Sequence, residues 1–458
     1  MLTKFKNQDW LITIILGIFA FISLILIFST TFDAQNLQQG QGTIYRQILF
    51  LIIGFSVYFF ITTIDLSWLK QKNIIILIYL IILASLVFVI FFGQTRANTQ
   101  RWIFLGPLSF QPAEFAKISL VIVTSYLLCL TEEIASVKTK LSKWYQNPLF
   151  RRIGLSVGLA LIYAILIYLQ PSLGNALILL LTWSSLIFLV VPFSYKSILA
   201  ISIGIVGVAG YYKLSVFQKI AQLSYLSDTE WKIFIIFSLG IIFFSLFKLF
   251  KINKLLLISI FLLVIMLTPL AEFGWTHVIK DYHRQRIISY IQGSTQDPLN
   301  KGYQVRQSVI AIGSGRITGR GYLQGSQSSL KVLPFAHTDF IFAALAEQFG
   351  FVGVMLMFIL YGLLGYRIYR VFLISTDQFS KLLTLGSLSI LIINLFVNTA
   401  MNMGLIPVTG VPLPLISYGG SSVLVIMISM GLVQMAYISI KPQDYSKKLV
   451  WKLERTQN

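Results

Sequence analysis

The most evident chemistry in this chain belongs to an aspartate that opens a membrane-length apolar run. Asp339 stands in Leu333-Pro334-Phe335-Ala336-His337-Thr338-Asp339-Phe340-Ile341-Phe342, with Glu347 two turns on. An acid carried into the start of a membrane helix costs about 3 kcal/mol unless it is paired or used. A role is therefore the default reading of Asp339, and a carboxylate ionised at neutral pH is able to accept a proton. The plainer alternative is that Thr338 or Asp339 only caps the helix. His337 is a lone histidine, with His277 and His283 far away in sequence, so no metal-ligand spacing is present.

Other polar constellations gather around it. Upstream lie Asp281, His283, Arg284 and Arg286, then Gly302-Tyr303-Gln304 and the Gly-rich Ile312-Gly313-Ser314-Gly315-Arg316-Ile317-Thr318-Gly319-Arg320-Gly321. Glycines let backbone N–H groups approach an anion, and Arg284, Arg286, Arg316 and Arg320 together suit a diphosphate. The spacing matches neither the dinucleotide nor the P-loop fingerprint, and the alternative is a solvated external loop. Arg101-Trp102, ahead of Gln111-Pro112-Ala113-Glu114-Phe115-Ala116-Lys117, could hold a sugar face and an anionic head group at the mouth of a helix. Glu114 and Lys117, one turn apart, would enter the membrane as a pair. On residue type alone, an interfacial aromatic anchor and a snorkelling lysine are the favoured readings of Trp102 and Lys117. Gln170-Pro171-Ser172-Leu173-Gly174-Asn175 breaks one span and starts the next, either lining a cavity or making a tight turn. From Asn402 to Ser422, three prolines and several glycines forbid a regular helix through an apolar stretch that includes Ser417. That backbone must be buried in protein or form a cavity wall.

The elements that position these groups follow from composition. Of 458 residues, 56% are hydrophobic and 11% charged, far more apolar surface than one soluble core can bury. The chain reads as an all-α integral membrane protein, a polytopic bundle of about 10–12 transmembrane helices with a large extracytoplasmic loop before the third-last helix. Spans are expected near 10–31, 46–64, 74–93, 113–130, 153–170, 173–193, 197–212, 231–249, 255–272, 339–366, 382–400 and 422–440. The first is preceded by Lys4 and Lys6 but is too long for a cleaved signal and lacks its cleavage site, so it reads as a retained helix. An even count puts both termini on one side; if that side is cytoplasmic, 21 of the 36 Lys and Arg fall in its short connections and tails. The net charge of +20 is then a topology signal and an attraction for anionic lipid heads, and nucleic acid is not the expected partner. The lone Cys129 excludes an intrachain disulfide.

The segments RWIFLGPLSFQPAEFAK, RQRIISY, DPLNKGYQVRQSVIAIGSG, GRGYLQGSQSSL, LPFAHTDFIFAALAEQFG and GLIPVTGVPLPLISYGGSS carry a resemblance that covers most of the chain. It resembles the SEDS family of cell-wall synthases, the RodA, FtsW and sporulation group, and QGSQSSL is more similar to the RodA branch. The resemblance implies a single membrane domain over 1–458 that polymerises lipid II into glycan strands on the outer face of the bacterial cytoplasmic membrane. It implies a class B penicillin-binding protein as partner, the essential aspartate at Asp339 and a functional loop tryptophan at Trp102. Two departures stand out: Ser172 and Asn175 occupy positions where the family usually has an acid and a Thr, and an extra pair of spans falls within 197–249 where family members commonly total ten. The loop then covers 273–338 and a cytoplasmic tail 441–458.

Residues and resemblance together lead to an inverting glycosyltransfer that needs no metal, or at most assistance from a divalent cation. Asp339 would be the base for the acceptor hydroxyl. Arg101, Trp102, Glu114, Lys117, Arg284, Arg286, Arg316, Arg320, His337, Thr338 and Ser417 are the expected substrate contacts. A lipid II flippase and a scaffold that only activates its partner are the rivals. The conspicuous groups gather at one face and few acids sit mid-span, which favours surface chemistry over alternating access.

Overall fold

A computed structural model describes residues 7–32, 37–96, 99–105, 108–129, 148–190, 301–328 and 332–440. The chain divides into two compact units, Met1–Val190 with Gln304–Asn458, and Val191–Tyr303. In the first unit the helices are α1 (Trp10–Thr31), α2 (Leu37–Thr63), the single turn α3 (Leu66–Leu69), α4 (Lys72–Phe92), α5 (Pro112–Cys129), α6 (Pro148–Leu169), α7 (Leu173–Val190), α9 (Ile341–Ile374), α10 (Gln378–Asn402) and α11 (Gly420–Ile438), and α8 (Lys301–Gly315) joins it from Gln304 onward. Three short strands, β1 (Gln94–Arg96), β2 (Thr99–Leu105) and β3 (Leu108–Phe110), lie between α4 and α5.

Nine helices among the described residues are long and apolar enough to cross a membrane. They coincide with nine of the twelve expected spans; those at 197–212, 231–249 and 255–272 lie outside the described residues, as do the expected inserted pair and the 441–458 tail. The protein is a polytopic helical membrane protein. α5, α10 and α11 are mostly enclosed, whereas α2 and α4 turn large side chains such as Phe60, Phe88 and Phe91 outward, as lipid-facing helices do. Where α1 begins, Asp9 accepts from the Leu11 N–H at 3.2 Å and from Arg367 Nε at 2.8 Å, while Gln434 Nε2 donates to the Asp9 carbonyl at 2.8 Å and to the Tyr58 hydroxyl at 2.9 Å. This buried network ties α1, α2, α9 and α11 together at that end of the bundle.

Two features differ from an all-helical expectation. The first is the sheet, antiparallel in order β1-β2-β3, with Gln94 opposite Trp102 and Ile103 opposite Phe110. Aromatic and β-branched residues on β2, with Ala97-Asn98 and Gly106-Pro107 separating the strands in sequence, favour hairpins over a helix. Arg101 and Trp102 therefore sit on a strand and not at a helix mouth. The second is a break in α9, which is not one continuous span: Gly350 has φ 63 and ψ −163, which separates a buried segment, 341–349, from the longer helix that follows.

Candidate active site

Asp339 is the penultimate residue of a run of turns, 334–340, that leads into α9. The helix N-cap is Phe340, whose side chain makes no cap hydrogen bond. Neither Thr338 nor Asp339 occupies the cap position, and the Thr338 hydroxyl donates backward to the Phe335 carbonyl at 3.2 Å.

Outside a helix, the carbonyls of this turn need other partners, since an unpaired buried carbonyl is costly. Each of three successive carbonyls has one. The Tyr418 N–H donates to His337 at 2.9 Å, the Ser417 hydroxyl to Thr338 at 2.6 Å, and Asn398 and Asn402 donate from Nδ2 to Asp339 at 2.9 and 3.0 Å. Asn398 Nδ2 also donates to the Val411 carbonyl at 2.7 Å. The aspartate is thus gripped from α10 and from the irregular 403–419 wall. Ser417, expected among the substrate contacts, is buried with its hydroxyl spent on this backbone, where it also accepts from the Leu413 N–H at 2.8 Å. The His337 ring stands 5.8 Å from that of Tyr418, centroid to centroid.

The wall passes beside the carboxylate at Gly410. A β-carbon there would stand 3.5 Å from Asp339 Oδ2, and the residue has φ +73, a conformation glycine adopts without strain. One residue earlier, Thr409 meets Gly174, whose added β-carbon would lie 2.9 Å from both the Thr409 Cβ and its carbonyl oxygen. The 170–175 break is thereby packed against the wall. Arg101 clamps it from the sheet, with Nε donating to the Gln170 carbonyl at 3.1 Å and Nη2 to that of Pro171. Because successive residues of a strand face opposite ways, Trp102 lies on the other face of β2, half-buried. Ser421, at the start of α11, fixes the sheet by accepting from the Gln111 N–H at 2.8 Å and donating to the Ser109 carbonyl at 3.1 Å.

Lys117 does not snorkel. It is 1% exposed, and Nζ lies 2.8 Å from Glu114 Oε2 and 3.5 Å from Asn394 Oδ1, a buried pair in the enclosed helix α5. The apolar surroundings strengthen the attraction between the charges, which is why the ammonium turns to Glu114 and away from the interface.

The glycine-rich segment is not an anion cradle. Residues 301–315 are helical, and the backbone N–H groups of Gly319, Arg320 and Gly321 are taken by the carbonyls of Gly315, Glu347 and Gln348 at 2.8, 2.9 and 3.0 Å. Gly319 is glycine because a β-carbon would stand 2.1 Å from the Gln348 carbonyl oxygen. Its small size serves close packing against α9 and leaves no N–H nest. Arg316 and Arg320 remain exposed, with Arg320 Nη1 donating to Ser326 Oγ at 2.8 Å. They lie alongside the Gly350 break, separated from Asp339 by the 341–349 segment, about 13 Å of helix. Arg284 and Arg286 are outside the described residues. Among the described residues no group of three or more His, Cys, Asp or Glu is placed to hold a metal ion.

Comparison with known proteins identifies the family of the chain. The profile of the FtsW/RodA/SpoVE family, described as cell cycle protein, matches residues 9–232 and 229–441. The chain belongs to the FtsW/RodA/SpoVE family. Among relatives, the peptidoglycan glycosyltransferase MrdB of Escherichia coli K12 is 30% identical over 356 residues, covering 78% of this chain and 75% of that protein. The peptidoglycan glycosyltransferase RodA of Treponema pallidum is 28% identical, covering 93% and 96%. A chain of the solved structure "Structural coordination of polymerization and crosslinking by a peptidoglycan synthase complex" shares the fold at TM-score 0.63, with 23% identity, over 95% of this chain and 99% of that one.

In this FtsW/RodA/SpoVE protein several residues outside the expected site do much of the positioning. Asn394, Asn398 and Asn402 recur at four-residue steps on one face of α10, and a polar stripe within a span is a signal that sequence periodicity carries. Glu347 is fully buried and accepts from Ser326 Oγ at 3.2 Å and from the N–H groups of Gln327 and Ser328 at 2.8 and 2.9 Å, which pins the 316–328 loop to α9. Beneath the turn, Ala311, Leu333, Ala336, Phe340 and Ala343 form an apolar cluster joining α8 to the Asp339 segment.

Proposed function

We propose that this protein is a peptidoglycan glycosyltransferase of the elongation type, polymerising lipid II in the bacterial cytoplasmic membrane. The observation that carries the reading is the placement of Asp339, whose carbonyl is gripped by two amides and whose carboxylate lies beside Gly410, in a family whose relatives are named peptidoglycan glycosyltransferases. Both termini are cytoplasmic and the Asp339 end of the bundle faces outward, as the Lys and Arg distribution favours.

Asp339 takes the proton from the 4-hydroxyl of the acceptor GlcNAc. The resulting oxygen nucleophile attacks the anomeric carbon of the donor MurNAc, the bond to undecaprenyl diphosphate breaks, and configuration at that carbon inverts. A positioned base contributes about 10²–10⁴-fold to such a step. Trp102 offers a face for a sugar ring, and the exposed Arg316 and Arg320, too far from Asp339 to hold the leaving group, add positive charge that draws the anionic lipid head toward the protein. A class B penicillin-binding protein is the partner, a reading supported by the fold shared with a chain of a peptidoglycan synthase complex.

Purified protein, with and without that partner, is given labelled lipid II and assayed for glycan chains. Asp339→Asn is expected to insert and fold normally but to make no polymer; full activity in that variant overturns the assignment of the base. Transport of lipid II with no chain formation by the parent would favour the flippase.

A further inference from the structure

We infer that Asn398, acting with Asn402, is a positioning residue for the glycosyl-transfer step, setting where the Asp339 carboxylate stands against the wall at Gly410. This rests on the reading of Asp339 as the general base.

The Asp339 carbonyl precedes the N-cap of α9, so no N–H of that helix is placed to bond it. It accepts from two side-chain amides one turn apart on α10, Asn398 at 2.9 Å and Asn402 at 3.0 Å. Two donors on one carbonyl fix the orientation of the peptide plane, and with it the direction in which the aspartate side chain leaves the backbone. Asn398 does more than satisfy that oxygen. Its Nδ2 also donates to the Val411 carbonyl at 2.7 Å, so a single amide spans the catalytic turn and the wall. Gly410, adjacent to Val411, faces the carboxylate: a β-carbon on it would stand 3.5 Å from Asp339 Oδ2. The spacing between carboxylate and wall is therefore set through one rigid planar group.

The amides are in turn held. Asn402 Nδ2 donates to the Asn398 carbonyl at 2.9 Å, and Asn402 Oδ1 accepts from the Ala343 N–H at 3.3 Å, one turn beyond Asp339 in α9. Ser308 Oγ on α8 donates to the Asn402 carbonyl at 2.8 Å. Both asparagine side chains are buried, so water cannot replace them at low cost. A general base must stay within hydrogen-bond reach of the proton it removes, and a misplacement of about 1 Å costs about 10²-fold in rate. Loss of these amides should therefore lower turnover and leave substrate affinity largely as it was.

The test uses the full-length protein with its transpeptidase partner and labelled lipid II, comparing Asn398→Ala, Asn402→Ala, the double variant, Asp339→Asn and Gln434→Leu. Gln434 is a buried amide with three hydrogen bonds at the other end of α11, so its loss reports the stability cost alone. Expected is a fall in kcat of about 10-fold for each single alanine variant and about 100-fold for the double, with KM for lipid II within about twofold of the parent. Gln434→Leu should lower the melting temperature comparably at unchanged kcat. An unchanged kcat in Asn398→Ala, a loss confined to KM, or an equal kcat loss in Gln434→Leu at equal melting temperature overturns the inference. If the alanine variants do not fold, Asn398→Ser, which keeps one donor, must show a reduced kcat; full turnover there overturns it as well. Asp339→Asn separates the two claims. Inactive Asp339→Asn with fully active Asn398→Ala refutes the positioning role alone, whereas active Asp339→Asn removes the base and the positioning role together.

Discussion

Removing Lys117 alone should damage this protein more than removing Lys117 and Glu114 together. The ammonium and the Glu114 carboxylate are 2.8 Å apart with side-chain exposures of 0% and 5%, inside the enclosed helix α5. Lys117→Met leaves a carboxylate in an apolar interior with no counter-charge, a loss of about 3–5 kcal/mol. At about 2 °C per kcal/mol for a large chain, the melting temperature should fall by roughly 6–10 °C. Glu114→Leu combined with Lys117→Met removes both charges, and replacing a buried pair by apolar groups of similar volume is often neutral or better. The pair is not fully satisfied to begin with, since Glu114 Oε1 has no hydrogen-bond partner within the described protein, so little is forgone with it. Thermal unfolding in detergent, followed by tryptophan fluorescence on the parent, the single variants and the double, reads these differences directly. A single variant as stable as the double would show that the Glu114 charge is not buried as described, and the argument against a snorkelling Lys117 would fail. A stable double variant that makes no polymer would show that the ammonium also acts on the substrate.

Two further outcomes follow from local geometry. Gly410→Ala must either hold φ +73 with a β-carbon placed 3.5 Å from Asp339 Oδ2, at about 1–2 kcal/mol, or shift the wall to relieve it; polymerisation should drop at least 10-fold with a small change in melting temperature, and unchanged activity would argue that the wall does not bound the site. At the end of the bundle remote from Asp339, burial pushes the Asp377 carboxyl up, but the hydrogen bond and charge of Lys70 and the Ser380 N–H and hydroxyl outweigh it, so its pKa lies below the ordinary 3.8. A depressed carboxyl stabilises the fold above its unfolded pKa and loses that contribution as pH falls through its folded value. The melting temperature of Asp377→Asn should therefore lie below that of the parent at neutral pH, and the gap should close beneath pH 3.8; a gap that persists there refutes the Lys70 pairing.

How much of this was legible depended on which force decided each element. Spans such as α1 and α4 follow from apolar length alone, because a helix is how a lone apolar segment satisfies its backbone in lipid. The sheet at 94–110 did not stand out, since its strands are three to seven residues long and lie between spans whose signal dominates any window. Residue type favoured a snorkelling lysine at 117 because a one-dimensional pattern does not tell an enclosed helix from a lipid-facing one. What encloses Lys117 beside Glu114 comes from elements distant in sequence, Asn394 among them, 277 residues away. The glycines of 313–321 misled for a related reason: small size serves close backbone packing and anion contact equally well, and only the tertiary neighbours Glu347 and Gln348 tell which. Asp339, by contrast, was conspicuous because a carboxylate at an apolar threshold is expensive wherever its neighbours lie.

The way the aspartate is held also explains why the 402–422 stretch contains so much proline and glycine in an apolar setting. A reactive carboxylate on a regular helix would have its backbone satisfied within that helix, and its position would follow the helix wherever that moved. Here the carbonyls of residues 337, 338 and 339 stand outside any helix, and each must find a donor on another element. A wall that cannot become helical supplies two of them, the Tyr418 N–H and the Ser417 hydroxyl, and α10 supplies the amides for the third. The 403–419 wall and α10 thus converge on three consecutive peptide groups just ahead of α9. Movement of α10 or of the wall relative to this turn must break one of these bonds or carry the aspartate with it. A partner that binds the bundle and shifts α10 by a fraction of an ångström would act on Asp339 through Asn398 without touching the substrate, so the residual turnover of Asn398→Ala, about 10-fold below the parent, should no longer respond to the partner.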